Sequence, residues 1–218
     1  MYRLAIFDLD GTLLNTQPDL LPAFNAAVEA YGYAPCPPER FGKVIGNGFK
    51  TSLRRILPPD FHDDAIFEDM CCIYHETYDA HYADHTCAYV GMADALAKLQ
   101  ECGVALAVLS NKVEVHSEYL CKTLLPNIRF SRIAGAGSGL PLKPDPSYLF
   151  KIMDELQVRP DESIFIGDSD VDVITAHRAN MRCIGCEWGY RGRQELVDAG
   201  ADFMAGTPHD LLKYILEG

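Results

Sequence analysis

From residue 104 onward, short apolar runs alternate with stretches of helical periodicity. VALAVLSN (104–111), a run near Ile133, SIFIGDSD (163–170), RCIGCE (182–187) and DFMAG (202–206) have strand length and few polar interruptions. Between and after them lie patterned segments at 113–124, 146–157, 171–180, 193–200 and 209–216, the second marked by Leu149, Ile152, Met153 and Leu156. A strand that is apolar on both faces must be covered on both, and a helix after each strand lets successive strands run parallel. This alternation predicts an α/β chain with a parallel sheet between two helical layers.

One more strand opens the chain at 3–8, but about 70 residues separate it from the rest. From 15 to 85 the pattern is helical and no strand is expected. Leu21, Phe24, Val28 and Tyr31 recur at helical spacing before Gly32. Pro22 suits only the first turn of that helix, which leaves its start open. APCPPER (34–40) reads as a break. Phe49, Leu53, Ile56 and Leu57 mark a second helix, and Ile66, Met70, Ile73 and Thr77 a third. Met92, Leu96 and Leu99 then lead through Gly103 into the strand at 104. Connections inside α/β units run about 2–6 residues, so this insert is far longer than a crossover needs. The expected organisation is a Rossmann-like core of residues 1–14 and 86–218 carrying an all-helical cap of residues 15–85.

Of the 218 residues, 48% are hydrophobic, enough for a substantial core, and the formal net charge is −12. Such a surface disfavours nucleic acid and anionic membranes, which need a basic face, without excluding a small anion held in a locally positive site. No leader pattern and no apolar stretch of membrane length stands out. The eight cysteines are scattered and read as free thiols of a reducing compartment, so a cytoplasmic location is expected. Cys183 and Cys186 form a CxxC, but within a strand-like run and without a second ligand pair, which disfavours a zinc or redox role.

In open parallel sheets ligands bind beyond the carboxyl ends of the strands. Here the first strand ends in Asp8, with Asp10, Gly11 and Thr12 following; 104–111 ends in Ser110 and Asn111; 163–170 ends in Asp168, with Asp170 and Asp172 beyond. Lys143 lies between prolines in LPLKPDP. Buried like charges raise one another's pKa unless a cation or a proton answers them. Carboxylates, a hydroxyl, a lysine and free backbone N–H groups gathered on one edge fit phosphoryl transfer. Mg²⁺ prefers one or two carboxylates plus a substrate phosphate, a carboxylate can attack phosphorus, and a second carboxylate can serve as acid and base.

These residues resemble the haloacid dehalogenase-like hydrolases. Asp8-Leu9-Asp10-Gly11-Thr12 matches their DxDGT, Ser110 with Asn111 their second motif, Lys143-Pro144-Asp145-Pro146 their KPxP, and Gly167-Asp168-Ser169-Asp170-Val171-Asp172 their GDSxxD, all in the family's order. The resemblance implies Asp8 as nucleophile and metal ligand, and Asp10 as general acid/base whose carbonyl also touches the metal. Asp168 would bind Mg²⁺ and Asp172 support its shell. Ser110 and Lys143 would grip the phosphoryl group, with backbone N–H groups near Gly11 and Asn111 assisting and Thr12 supporting Asp10. The insert is similar to the family's type I cap, and VIGNGFKTSLRRIL to the IGxG loop of phosphoglycolate phosphatases, which makes Lys43, Ile45, Gly46, Asn47 and Gly48 the expected specificity loop. WGYRGRQELVDAGADFMAGTPHDLLKYI resembles their C-terminal stretch.

A Mg²⁺-dependent phosphatase acting on a small phosphorylated metabolite, with phosphoglycolate first, is therefore expected. An inorganic pyrophosphatase and a sugar phosphomutase are the alternatives within the superfamily, and a phospho-accepting signalling module is the alternative outside it. The histidines His75, His81 and His85 read as a solvated helix face rather than a second metal site, GAGSG reads as a loop, and oligomeric state stays open between monomer and homodimer.

Overall fold

The computed structural model describes residues 1–137 and 139–217. It divides into two compact units, one made of Met1–Asn15 and Ala88–Gly218, the other of Thr16–Cys87.

The first unit is built on a six-stranded sheet of β1 (Leu4–Phe7), β4 (Ala105–Val113), β5 (Phe130–Ala136), β6 (Ser163–Gly167), β7 (Arg182–Cys186) and β8 (Phe203–Ala205). Two further strands of two residues each, β2 (Leu14–Asn15) and β3 (Cys87–Ala88), pair with each other. The large sheet has the order β5-β4-β1-β6-β7-β8, and every pairing is parallel. Its helices are α5 (Met92–Glu101), α6 (Glu114–Leu124), α7 (Ser147–Leu156), α8 (Asp170–Arg178), α9 (Gly192–Ala199) and α10 (Asp210–Glu217). The expected parallel α/β sheet is therefore present. GAGSG is not wholly a loop: Gly135 and Ala136 complete β5 and Gly137 turns away from it, while Ser138 lies outside the described residues.

Strand alternation explains the packing. Leu4 and Ile6 of β1, Ala107 and Leu109 of β4, Phe165 of β6 and Cys183 of β7 share one buried cluster with Leu149, Ile152 and Met153 of α7 and Val173 and Ala176 of α8. The intervening residues Ala5, Phe7, Leu106, Val108, Ile164 and Ile166 are equally buried, because the other face is covered too. Burying such a leucine, isoleucine or phenylalanine stabilises by about 1.5–3 kcal/mol each, which is why both faces must be apolar. Cys183 and Cys186 lie fully buried in β7 as free thiols, and burial pushes both well above the ordinary thiol range. They fill the core.

The second unit holds α1 (Gln17–Glu29), α2 (Pro38–Val44), α3 (Phe49–Ile56) and α4 (Asp64–His81) around its own core of Leu20, Phe24, Phe41, Leu53, Phe67, Met70 and Tyr74. Tyr74 is its centre, with ring centroids 4.5 Å from Phe24 and 5.2 Å from Phe49. Two expectations need correction. APCPPER is only partly a break, since Pro38 begins α2; a proline fits a first helical position because the N–H there has no partner anyway. Pro22 sits inside α1 rather than in its first turn. The helix tolerates the N–H it lacks because Leu20, Leu21, Ala23 and Phe24 bury the surrounding face.

Asp19, early in α1, gathers the end of this unit. Its buried carboxylate accepts from His85 N, Thr86 N and Thr86 Oγ1 at 3.0, 2.7 and 2.7 Å, with His85 Nδ1 at 3.0 Å. Burial alone would raise its pKa, but these bonds outweigh it and hold the carboxyl below its usual range. The three histidines are dispersed: His75 packs edge-on against Phe49, His81 pairs with Asp84, and His85 pairs with Asp19.

Candidate active site

Without its two short strands, the sheet reads 3-2-1-4-5-6 in chain order. The chain grows outward from β1 to one edge, then returns to β6 on the other side of β1. Successive crossovers diverge at β1 and β6, which opens a crevice at their carboxyl ends. Asp8 directly follows β1, and Asp168 directly follows β6. Asp8 N also donates to Ile166 O at 2.8 Å, which locks the two strand ends together.

Asp8, Asp168 and Asp172 are all buried, and each offers a carboxylate oxygen within 4.8 Å of the others. Lys143 Nζ stands against two of them, 2.8 Å from Asp8 Oδ1 and 2.7 Å from Asp172 Oδ1. Desolvation is the main influence on Asp8; Lys143 opposes it, Asp172 and Asp10 reinforce it, and the carboxyl is pushed up to about 7. Burial, then Asp172 and Asp8, push Asp168 well above its ordinary value. For Lys143 burial favours the neutral amine, but Asp172 and Asp8 outweigh it and hold the ammonium charged.

Local sequence explains why Asp172 points inward. Ser169 caps α8, and Asp172 completes a capping box. Its Oδ2 accepts from Ser169 N and Asp168 N at 3.1 Å and from Ser169 Oγ at 2.7 Å. With Oδ1 on Lys143, this carboxylate is saturated by protein donors and acts as a brace. Lys143 is fixed from behind by Asn111, whose amide exchanges two hydrogen bonds with the Lys143 backbone, Nδ2 to O at 3.0 Å and N to Oδ1 at 2.8 Å. Ser110 lies buried beside it, accepting from Lys112 N at 3.2 Å. Thr12 is buried too, and its hydroxyl donates to Asp168 Oδ1 at 3.2 Å, so it supports that carboxylate.

Three further residues that the sequence did not single out close on Asp168 or on Thr12 beside it. Tyr190 N donates to its Oδ2 at 2.7 Å, and Trp188 Nε1 donates to Thr12 O at 3.1 Å. Between them, Gly189 approaches so closely that a Cβ there would overlap Asp168. Gly11, with φ of +83°, is confined from the other side, where a Cβ would also overlap Asp168 and meet Tyr190 Cδ2 at 2.8 Å. The only advance signal was WGYRG itself, two glycines around aromatics directly after an apolar strand. Lys112 is a fourth residue missed: its buried Nζ lies 3.1 Å from Asp10 Oδ1. Burial alternates from Ser110 through Asn111 to Lys112 at the end of β4, which puts Ser110 and Lys112 on one face.

A hard divalent cation fits this donor set. All three candidate ligands are carboxylates, their mutual repulsion calls for a positive charge, and oxygen is the ligand such ions prefer. With all four ionised, as a bound cation would favour, the aspartates 8, 10, 168 and 172 exceed the two lysines 112 and 143 by two negative charges. Among the described residues this is the group of acidic, histidine or cysteine side chains placed to hold a metal ion.

The family model for haloacid dehalogenase-like hydrolases matches residues 5–186, spanning β1 through β7. The chain belongs to this family. This haloacid dehalogenase-like hydrolase is 32% identical over 215 residues to phosphoglycolate phosphatase 1 of Pseudomonas aeruginosa, covering 96% of this chain and 78% of that one. It is 29% identical to the phosphoglycolate phosphatase of Mannheimia succiniciproducens, covering 98% of both. Among solved structures, CbbY of Rhodobacter sphaeroides in complex with phosphate superposes with a TM-score of 0.79 at 28% identity, over 97% of this chain and 96% of that one. No helix among the described residues is long and apolar enough to cross a membrane.

Lys43, Ile45, Gly46, Asn47 and Gly48 all fall in the helical unit. Lys43 lies in the last turn of α2, and Ile45 to Gly48 form the loop before α3. Arg55 braces that loop from within the unit, donating to Asn47 Oδ1 at 2.7 Å and Val44 O at 3.2 Å.

Proposed function

We propose that the protein is a Mg²⁺-dependent phosphatase that hydrolyses a small phosphomonoester, phosphoglycolate first, through an aspartyl-phosphate on Asp8. The observation that carries this reading is the buried Asp8 carboxylate at the crevice between β1 and β6, paired at 2.8 Å with the buried Lys143 ammonium and grouped with Asp168 and Asp172. The relatives named phosphoglycolate phosphatase support both the activity and the first substrate to try.

Bound Mg²⁺ would supply charge to the phosphoryl oxygens and keep Asp8 ionised at neutral pH. Asp8 Oδ attacks phosphorus while the bond from phosphorus to the ester oxygen breaks, and Asp10 gives its proton to the departing alkoxide. Water then attacks the same phosphorus, Asp10 takes the water's proton, and the acyl phosphate bond breaks to return the Asp8 carboxylate and release phosphate. Lys143, the Ser110 hydroxyl and backbone N–H groups near Gly11 and Asn111 hold the equatorial oxygens as charge shifts among them. Asp168 and Asp8 would hold the cation; Asp172 fixes Lys143, and Thr12 and Tyr190 fix Asp168. The helical unit of residues 16–87 is assigned the cap's role of excluding water, with Lys43, Ile45, Gly46, Asn47 and Gly48 choosing the substrate. A cytoplasmic location accords with this chemistry.

The test is phosphate release, with and without Mg²⁺, from phosphoglycolate, sugar phosphates, nucleotides and pyrophosphate, with Asp8→Asn as control. Metal-dependent release from phosphoglycolate, abolished in Asp8→Asn, is expected. Release from pyrophosphate alone would reassign the substrate, and turnover surviving in Asp8→Asn would end the reading.

A further inference from the structure

No step above uses Trp188. It lies two residues past β7, in the turn 187–191 that leads into α9. Glu187 N donates to Ala205 O at 2.9 Å and Gly189 N to Cys186 O at 3.3 Å, so the turn is fastened to the end of the sheet. From there it reaches the site twice. The indole Nε1 donates to Thr12 O at 3.1 Å, and Tyr190 N donates to Asp168 Oδ2 at 2.7 Å. The half-buried indole also lies tilted against the Tyr89 ring, with centroids 6.3 Å apart. Aromatic pairs attract at that separation, so the ring has a seat apart from its hydrogen bond.

Thr12 joins the two contacts. It is fully buried; its N–H donates to Leu9 O at 3.3 Å, its hydroxyl donates to Asp168 Oδ1 at 3.2 Å, and its carbonyl accepts from the indole. The residue before it is Gly11, at φ of +83°, and glycine restrains the chain on either side of it less than any other residue. The indole fixes Thr12 from outside that loop. Both oxygens of Asp168 thus depend on one turn: Oδ2 on Tyr190 N directly, and Oδ1 on a hydroxyl whose residue the indole holds. A carboxylate oxygen carries two lone pairs, so these bonds orient Asp168 and still leave it able to meet a cation.

We infer that Trp188 is a positioning residue for the divalent cation: its indole N–H holds Thr12 and the 187–191 turn in the arrangement that orients Asp168 toward the ion. This rests on Asp168 being a cation ligand of the proposed phosphatase. Gly11 and Gly189 press on Asp168 so closely that a Cβ at either would overlap it, so a small shift of either loop moves the carboxylate. The indole bond ties those two loops to each other, since Trp188 adjoins Gly189 and Thr12 adjoins Gly11. Hydrogen-bond partners of a metal ligand are worth about 10–100-fold in affinity. The indole acts one bond further out, through Thr12, which places it at the lower end of that range. A benzene ring in its place fills space beside Tyr89 but leaves the Thr12 carbonyl without its donor.

Two replacements separate the N–H from the ring. Trp188→Phe removes the donor and part of the ring. Benzothienylalanine, introduced at position 188 by codon reassignment, keeps the bicyclic ring and puts sulfur where the N–H was. These two proteins, the parent and Asp168→Asn would be titrated with Mg²⁺ by calorimetry, starting metal-free, with melting temperatures measured alongside. Phosphate release from phosphoglycolate would be followed across Mg²⁺ concentrations. Both replacements are expected to raise the Mg²⁺ dissociation constant about tenfold. The Mg²⁺ needed for half-maximal release should rise by the same factor, with activity recovering as Mg²⁺ is added.

Parent-like Mg²⁺ affinity in the benzothienylalanine protein would overturn the inference; weakened binding in Trp188→Phe alone would then assign the effect to ring packing. A raised KM for phosphoglycolate at saturating Mg²⁺, with Mg²⁺ affinity unchanged, would make the indole a substrate contact and overturn it equally. If Trp188→Phe does not fold, the benzothienylalanine protein decides, and loss of the fold there too would assign the bond to stability alone and end the inference. Asp168→Asn separates the two levels. If it binds Mg²⁺ like the parent, or the parent binds none, the proposed metal site fails and takes the inference with it. If Asp168→Asn loses binding while the benzothienylalanine protein keeps it, the inference alone fails.

Discussion

Replacing Lys143 by methionine removes the cation that pairs with two buried carboxylates, while an apolar side chain of similar length still fills the space beside Phe165, over whose ring Nζ now lies at 5.5 Å. Nζ lies 2.8 Å from Asp8 and 2.7 Å from Asp172. At an effective dielectric of about 20, each contact is worth about 6 kcal/mol of attraction before desolvation is subtracted. Desolvation of the lysine offsets much of this. Removing one partner of a buried pair nevertheless costs about 3–5 kcal/mol, because the other charges remain. At about 2–4 °C per kcal/mol for a chain of this size, the metal-free variant should melt about 6–20 °C below the parent at pH 8. The sign of the pH effect follows from Asp8 and Asp168, both of which lie above their ordinary values even with Lys143 present. Without it Asp8 binds its proton at still higher pH, so the deficit should shrink as pH falls from 8 to 5. Calorimetry in the presence of a chelator measures both effects. A variant within about 2 °C of the parent at pH 8 would refute the charge argument, and an equal deficit at both pH values would assign the loss to packing.

Asp8→Asn should abolish turnover yet stabilise the metal-free protein at pH 8 by about 1–3 kcal/mol, because its carboxyl is pushed up from 3.8 to about 7 by burial and is costly to ionise; a lower melting temperature than the parent would contradict this. The same shift fixes the pH dependence. A folded value above the unfolded one makes stability fall as pH rises through the window from about 4 to 7, so metal-free melting temperatures should decline there and the rise on adding Mg²⁺ should be larger at pH 8 than at pH 6. Gly189→Ala drives a Cβ into Asp168 and should weaken Mg²⁺ binding about tenfold or more, read by calorimetric titration, with the melting temperature showing whether the fold survives. Lys43→Ala should change the ranking of substrates in the phosphate-release panel while leaving the stability of the core unit alone; an unchanged ranking would remove Lys43 from the specificity loop.

The chain's local chemistry determined much of this protein without tertiary information. Apolar runs flanked by helical periodicity leave only a parallel sheet covered on both faces, and the topology of such sheets places strand carboxyl ends on one edge. Hence Asp8, Asp168, Asp172, Ser110 and Lys143 could be predicted to meet, since each stands at or just beyond a strand end or in a loop on that edge. The capping box of Ser169 and Asp172 was equally local, spanning three residues.

Long-range packing decided the rest. That Tyr190 N would find Asp168 across 22 positions, or Trp188 the carbonyl of Thr12 across 176, depends on how β7 lies beside β6 and on the turn that follows it. No local propensity encodes that. The resemblance pointed Thr12 at Asp10; that its hydroxyl meets Asp168, 156 positions away, follows from β1 lying beside β6. Lys112 gains its place in the site only from the fold, which buries it in β4 with the Asp10 carboxylate 3.1 Å away. Pro22 looked like a helix start because propensity counts one lost hydrogen bond; the apolar face around it outweighs that loss. Sequence periodicity specifies elements and their order, since those follow from which side chains must leave water. Which polar groups pair depends on distances of a few ångströms between segments far apart in the chain, and those exist only once the sheet has formed.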